Sequence, residues 1–279
     1  MKIVVCVKQI PDPSIIEFDL SNESMMNVVW TVNTTDFLAL EEGLQVRERF
    51  GGEVIVVSLV PEREDDVLKR ALIFGADRAI RVWEHSLNDA DVWVKSLVLK
   101  EVIENIGFDL VLCGDKSKDM GSEFMGAALS ERLNVPLITR VVRLEFQGGR
   151  EAIAHKKLER GKREAYSLCL PAVITLTEGI NQLRYVALFS RSYRKGIKKK
   201  VEVVTPNVVN RDDVSPLIEL MRIGQPKPRT KVGKKIDGLS IDELTKMLQG
   251  EGGKNKEIFS GSPLEGARKI ENKLKEWLP

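Results

Sequence analysis

The sequence has little of what most catalytic and metal sites need. It contains only two histidines, His85 and His155, far apart in 279 residues. A histidine-based metal site or catalytic triad is therefore not expected. Its three cysteines, Cys6, Cys113 and Cys169, are odd in number and lack metal spacing. All three lie in apolar β-like runs, so they read as buried free thiols of a reducing cytoplasm. No CxxC, GxSxG or GxxxxGK[ST] motif occurs, so the common redox, hydrolase and P-loop signatures are absent. No apolar stretch approaches the roughly 18–20 residues needed to span a bilayer. The opening MKIVVCVKQIPD reads as a strand and loop, not a signal peptide, because its apolar run is short. Charge of one sign is also missing: the formal net charge is +2, which gives no general attraction to nucleic acid.

What is present is an ordinary soluble composition, 43% hydrophobic and 30% charged, with patterned segments. Continuous apolar runs at 2–7, 53–60, 78–83 and 109–113 predict strands buried on both faces. Helical spacing predicts helices over 36–50, 62–74, 89–106 and 121–133. Thr34 or Thr35 is the expected N-cap of the first, and Gly51-Gly52, Gly75, Gly107 and Pro136 are stops. Strands alternating with helices imply parallel pairing through right-handed crossovers. The first ~135 residues are thus expected to form a doubly wound, mostly parallel α/β sheet, with a further strand near 137–142.

Beyond Pro136 the pattern turns strand-rich, with strand-like segments at 137–145, 152–158, 164–169 and 172–176 and turn signals at Gly148-Gly149 and Gly161. A basic run follows at 191–200, then a Pro- and Lys-rich stretch at 224–235 that reads as an extended arm. Short helices are expected at 240–248 and 263–276, the second with Ser262 as N-cap and Pro263 near its start. The organisation expected is a nucleotide-binding domain over 1–205, including the strand-rich extension of about 137–205, and a C-terminal arm over 206–279.

In such sheets ligands sit beyond the carboxyl ends of the strands, which directs attention to 8–12, 59–61 and 114–122. The segment DLVLCGDKSKDMGSEFMG, 109–126, runs from a buried strand through a polar loop to a helix start. Free N–H groups and the helix dipole favour a phosphate there. Gly121 permits close backbone approach and Ser122 offers a hydroxyl. An ordinary capped βα connection reads equally well from this segment alone. Lys8 and Gln9 leave the neighbouring strand end, where a cation would neutralise a phosphate or stabilise a reduced, anionic ring. A plain solvated lysine is the simpler reading of Lys8. The basic run has few interleaved aromatics, so a solvated face or a subunit contact is expected there, and no nucleic acid.

Several blocks carry a resemblance. VCVKQIPD, the stretch NTTDFLALEEGLQVRERFGGEVIVVSLVP, ALIFGADRAIRV, and AHKKLERGKREAYSLCLPAVIT resemble the beta subunits of electron-transfer flavoproteins. Within the last block Lys156, Glu159, Gly161, Glu164 and Pro171 to Thr175 follow the family signature, while Arg160 and Tyr166 depart from it. Asn181, Arg184-Tyr185 and Lys198 to Lys200 match a further block, so the resemblance covers roughly 1–205. It implies a flavodoxin-like, adenine-nucleotide-binding fold in three layers and a heterodimer with an alpha subunit that holds an FAD. The beta subunit would hold a second adenine nucleotide. That nucleotide is structural AMP in the common type and a second FAD, reduced by NADH, in the electron-bifurcating type. The family pocket maps onto Cys6, Asn33 to Asp36, Leu59, and the loop of Gly114, Asp115, Lys116, Asp119, Gly121, Ser122, Glu123, Phe124 and Met125.

Lys116 and Phe124 stand where AMP-type loops commonly carry glutamines, and Gly121 replaces an acidic residue. Backbone contacts to phosphate survive such changes. FAD is accordingly the expected nucleotide, with AMP the alternative. NADH is the expected donor, and a further dehydrogenase or quinone oxidoreductase an expected partner. Phe259 to Pro263 is similar to the ending of bifurcating-type beta subunits. A non-redox adenine-nucleotide binder of stress type and a nucleic-acid or scaffolding protein remain as other classes. The first would need neither 154–205 nor the arm, and the second rests only on the basic run.

Overall fold

A computed structural model describes residues 1–206 apart from 13, 16, 20–23, 27, 62–64, 88–89, 149 and 189–190. Residues 207–279, on which the expected arm, its two expected helices and the segment 259–263 fall, lie outside the described residues. In chain order the elements are β1 (Lys2–Cys6), β2 (Gln9–Pro11), β3 (Glu17–Asp19), β4 (Ser24–Met26), β5 (Trp30–Val32) and α1 (Thr34–Phe50). Then come β6 (Glu53–Leu59), α2 (Asp66–Phe74), β7 (Arg78–Val82), α3 (Val92–Ile106), β8 (Leu110–Gly114) and α4 (Met125–Leu133). The last are β9 (Leu137–Phe146), β10 (Glu151–Lys157), β11 (Arg163–Cys169), β12 (Ala172–Leu176), α5 (Arg191–Gly196) and β13 (Glu202–Val204).

One sheet of nine strands runs in the order β11-β10-β9-β12-β8-β1-β6-β7-β13. The stretch from β9 to β13 is parallel throughout, and β10 and β11 add antiparallel at one end. Helices cover both faces, giving the expected three-layer α/β architecture. Alternate residues of each central strand serve opposite layers. Ile3, Val5, Val54, Val56 and Leu112 pack towards Leu40, Leu44, Leu68 and Leu72 of α1 and α2. Val4, Ile55, Val57 and Val111 pack towards Val98, Val102 and Leu129 of α3 and α4. Burial on both faces is why these strands read as unbroken apolar runs.

Four expectations change in detail. The strand-rich region is not an appendage: β12 lies between β8 and β9 and is parallel to both, so it continues the same sheet. β9 stays in register with β12 only past a bulge at Arg140, whose φ is 57° and whose N–H donates to Thr175 Oγ1 at 3.0 Å. The basic run holds the short helix α5, and β13 just after it closes the other end of the sheet beside β7. A bidentate Arg78–Glu202 pair, 2.7 Å at each contact, fastens that strand. The third change concerns helix starts. Asn33, not Thr34 or Thr35, is the N-cap of α1, α2 begins at Asp66, and α3 begins at Val92 with Asp91 capping Val94 N–H at 2.8 Å. The last concerns the thiols: Cys6 and Cys113 are buried, but Cys169 is exposed, because β11 is the outermost strand and five of its seven positions face solvent before Leu168.

Helix α1 buries acidic as well as apolar residues, Glu41 and Glu42 among them. A buried carboxyl needs a partner, and the segment after β12 provides it. Asn181 Nδ2 donates to Leu38 O at 3.1 Å and to Glu42 Oε2 at 2.9 Å. Arg184 grips Glu41 at 2.7 and 3.0 Å and Glu48 at 2.7 Å. Burial pushes the Glu42 carboxyl above its ordinary value against the Asn181 hydrogen bond. No helix among the described residues is long and apolar enough to cross a membrane.

Candidate functional site

The carboxyl ends of β1 and β8 are neighbours, with Cys6 opposite Cys113. Both thiols are buried, and Cys113 is held well above the ordinary thiol value by its contact with Cys6 and by burial. Directly above them the chain leaves β1 at Lys8 and β8 at Gly114, and α1 starts alongside. One side chain joins the three. Asp36, in the first turn of α1, accepts from Lys8 N–H at 2.8 Å through Oδ2. Through Oδ1 it accepts from Gly114 N–H at 3.2 Å and from Asn33 Nδ2 at 2.9 Å. Burial pushes its carboxyl up to about 7, against those three hydrogen bonds, which favour the ionised form.

Asn33 and Thr35 extend the tie into the loop after β8. Asn33 Nδ2 and Thr35 Oγ1 donate to Lys116 O at 3.0 and 2.8 Å. Asn33 Oδ1 accepts from Lys118 N–H at 3.3 Å. The buried Asp115 closes its own turn, with Oδ1 accepting from Lys116 N–H at 2.9 Å. The lysine at 116 therefore enters the network through its carbonyl, not its ammonium group. Lys8 Nζ crosses to Asp119 Oδ2 at 2.5 Å. Burial raises the Asp119 carboxyl, but hydrogen bonds from Lys8, Ser117 and Met120 outweigh it and leave it below its ordinary value. Lys8 is thus a paired cation.

Past Asp119 the loop opens. Met120 is 76% exposed and Phe124 40%. Gly121 and Glu123 take left-handed φ of 63° and 54°. A Cβ on Gly121 meets nothing nearer than Ser117 O at 3.9 Å. Helix α4 starts at Met125, four residues later than the pattern predicts, and its N-cap Phe124 provides no side-chain cap. The Ala128 N–H bonds back to Phe124 O, which leaves the N–H groups of Met125, Gly126 and Ala127 outside the helical ladder. Ser122, Glu123 and Phe124 N–H likewise have no partner among the described residues. Free N–H groups at a helix start are donors that favour an anion.

The structure therefore brings together Cys6, Lys8, Asn33, Asp36, Gly114, Asp115, Lys116 and Asp119, and places Gly121 to Met125 at the rim. Leu59 ends β6 on the far side of β1, half-buried. Gln9 is turned elsewhere: its Oε1 accepts from Val67 N–H at 3.2 Å at the start of α2. Thr35, within the Asn33 to Asp36 segment, enters through its hydroxyl. Its role in holding Lys116 O depends on a contact 81 positions away, which no local pattern signals.

Residues 25–209 match the family described as the electron transfer flavoprotein domain. The chain belongs to the electron-transfer flavoprotein beta-subunit family. It is 31% identical to the electron transfer flavoprotein subunit beta of Methylophilus methylotrophus over 261 residues, 89% of this chain and 97% of that one. It is 29% identical to Protein FixA of Azotobacter vinelandii over 258 residues, 87% and 90% of the two chains. The caffeyl-CoA reductase-Etf complex subunit CarD of Acetobacterium woodii is 31% identical over 192 residues, 67% of this chain and 72% of that one. Membership of the electron-transfer flavoprotein family implies a flavin-related function and an alpha-subunit partner. The residues described here lie on the matched segment from Asn33 onward, with Cys6 of β1 and Lys8 just after it added from before that segment.

Proposed function

We propose that this beta subunit binds FAD at the carboxyl ends of β1 and β8. There it takes part, with its alpha subunit, in flavin-based electron transfer that bifurcates electrons from NADH. The observation that carries this reading is the open run from Gly121 to Ala127. It offers unpartnered N–H groups for more than one phosphate and no glutamine side chains to close around a single one. The adenosine side would rest against Cys6, Asn33, Leu59 and Gly114, with the flavin chemistry supplied by the cofactor. The protein's own part is to present N–H donors, to exclude water with the exposed Met120 and Phe124 once a partner covers them, and to keep the Lys8–Asp119 pair beside the ligand. A paired lysine stabilises a reduced flavin anion less than a free one, so backbone donors carry most of that task. A structural AMP shares the adenosine and first phosphate and is the second reading, because the Asn33–Asp36–Gly114 frame serves either nucleotide.

The alpha subunit would dock on the strand-rich region 137–205, where β11 exposes Tyr166 and its neighbours, with 206–279 wrapping it. The heterodimer would work in the cytoplasm beside a further dehydrogenase or quinone oxidoreductase. Anaerobic titration of the heterodimer with NADH tests the redox part. Bleaching of the flavin absorbance by NADH alone is expected. Unchanged flavin spectra at excess NADH would reduce this subunit to a nucleotide-bearing scaffold.

A further inference from the structure

Both oxygens of Asp36 are already used, and all their partners are donors of the protein itself: Lys8 N–H, Gly114 N–H and Asn33 Nδ2. The residue is 7% exposed. Gly114 owes its lack of a side chain to this carboxyl, since a Cβ there would lie 2.3 Å from Asp36 Oδ1. We infer that Asp36 never touches the nucleotide but is a positioning residue whose ionised carboxylate holds the two strand-end loops in their nucleotide-binding shape. This rests on the nucleotide reading above and deepens it. A protonated Asp36 would bring a fourth donor to a point already ringed by three, so one hydrogen bond must break and the loops loosen.

The charged groups that face the cluster are few. From the end of β1 comes Lys8, neutralised by Asp119 of the loop. From β8 comes Cys113, a neutral thiol beside Cys6. From the loop come Asp115, turned into its own hydrogen bond with Lys116 N–H, and Lys118, which contributes its N–H to Asn33. None of these replaces Asp36 as acceptor for Lys8 and Gly114.

The pH dependence has opposite signs for binding and for stability. Burial lifts the Asp36 carboxyl to about 7 in the folded chain, against roughly 3.9 when unfolded. A raised carboxyl pKa means that this group's contribution to folding stability is greatest at acid pH. It falls as pH climbs from about 4 to about 7, and is level above. Nucleotide retention runs the other way, because only the ionised form is binding-competent. From pH 8 to pH 6 the ionised fraction drops roughly tenfold.

The test uses the full heterodimer. The dissociation constant of the second nucleotide, beyond the FAD of the alpha subunit, is measured at pH 6, 7 and 8 for the parent and for Asp36→Asn. Melting is followed in parallel. The parent should bind the second nucleotide roughly tenfold more weakly at pH 6 than at pH 8. Asp36→Asn should bind it weakly at every pH while gaining stability relative to the parent as pH rises. Asp36→Asn also reveals any titration of the nucleotide's own phosphate, which both proteins share. Equal pH slopes in the two proteins, or parent-like retention by Asp36→Asn, overturn the inference. A parent heterodimer that carries only one nucleotide at every pH overturns the nucleotide reading beneath it.

Discussion

Gly121→Asp should leave the fold nearly intact and strip the site of its nucleotide. A Cβ at 121 meets open space, its nearest neighbour being Ser117 O at 3.9 Å. The φ of 63° is a conformation that aspartate tolerates better than most residues. The folding cost is therefore about 1 kcal/mol. The binding cost is larger. The substitution places a carboxylate where phosphate oxygens would approach the N–H groups of 122–127. Each charge-assisted hydrogen bond contributes roughly 1.5–3 kcal/mol, so losing two weakens binding more than a hundredfold. Gel filtration followed by quantification of retained nucleotide reads this directly. Parent-like retention would show the loop to be a plain strand-to-helix connection.

Gly114→Val should do the reverse and break the frame itself. The first added carbon would lie 2.3 Å from Asp36 Oδ1, 2.5 Å from Thr35 Oγ1 and 2.9 Å from Asp36 N. None of the three contacts yields cheaply. Asp36 is held by three hydrogen bonds and Thr35 by its bond to Lys116 O at 2.8 Å. Overpacking of this kind costs about 2–4 kcal/mol, which for a domain of this size lowers the melting temperature by roughly 5–10 °C. Nucleotide loss would follow from the displaced loop. Thermal melting compared across Gly114→Val and Gly121→Asp separates the two roles. A Gly114→Val protein that melts with the parent would mean that Asp36 and Thr35 are not fixed where they are placed here.

The central α/β frame was legible because strands buried on both faces leave unbroken apolar runs, as IVVC and VIVVS do, and because Gly51, Gly75 and Gly107 mark the helix ends. The place of β12 was not. AVITL reads as a strand, but its insertion between β8 and β9 follows from pairings of Ala172 with Leu110 and Val173 with Leu137, which are distant in sequence. β13 is three residues long and owes its place to Arg78 and Glu202. The sequence pattern places the start of helix α4 four residues early, because Gly121-Ser122 looks like a cap. In the fold the left-handed Gly121 and Glu123 delay it, and that delay creates the open N–H run. Gln9 looked like a site residue from its place after β1, yet its amide caps α2. Cys169 looked buried from its apolar neighbours, but an outermost strand hides little.

The most direct measurement is the identity and number of nucleotides released when the heterodimer is denatured. The account predicts two FAD per heterodimer and no AMP. One FAD and one AMP, with no bleaching of flavin absorbance by NADH, would contradict it.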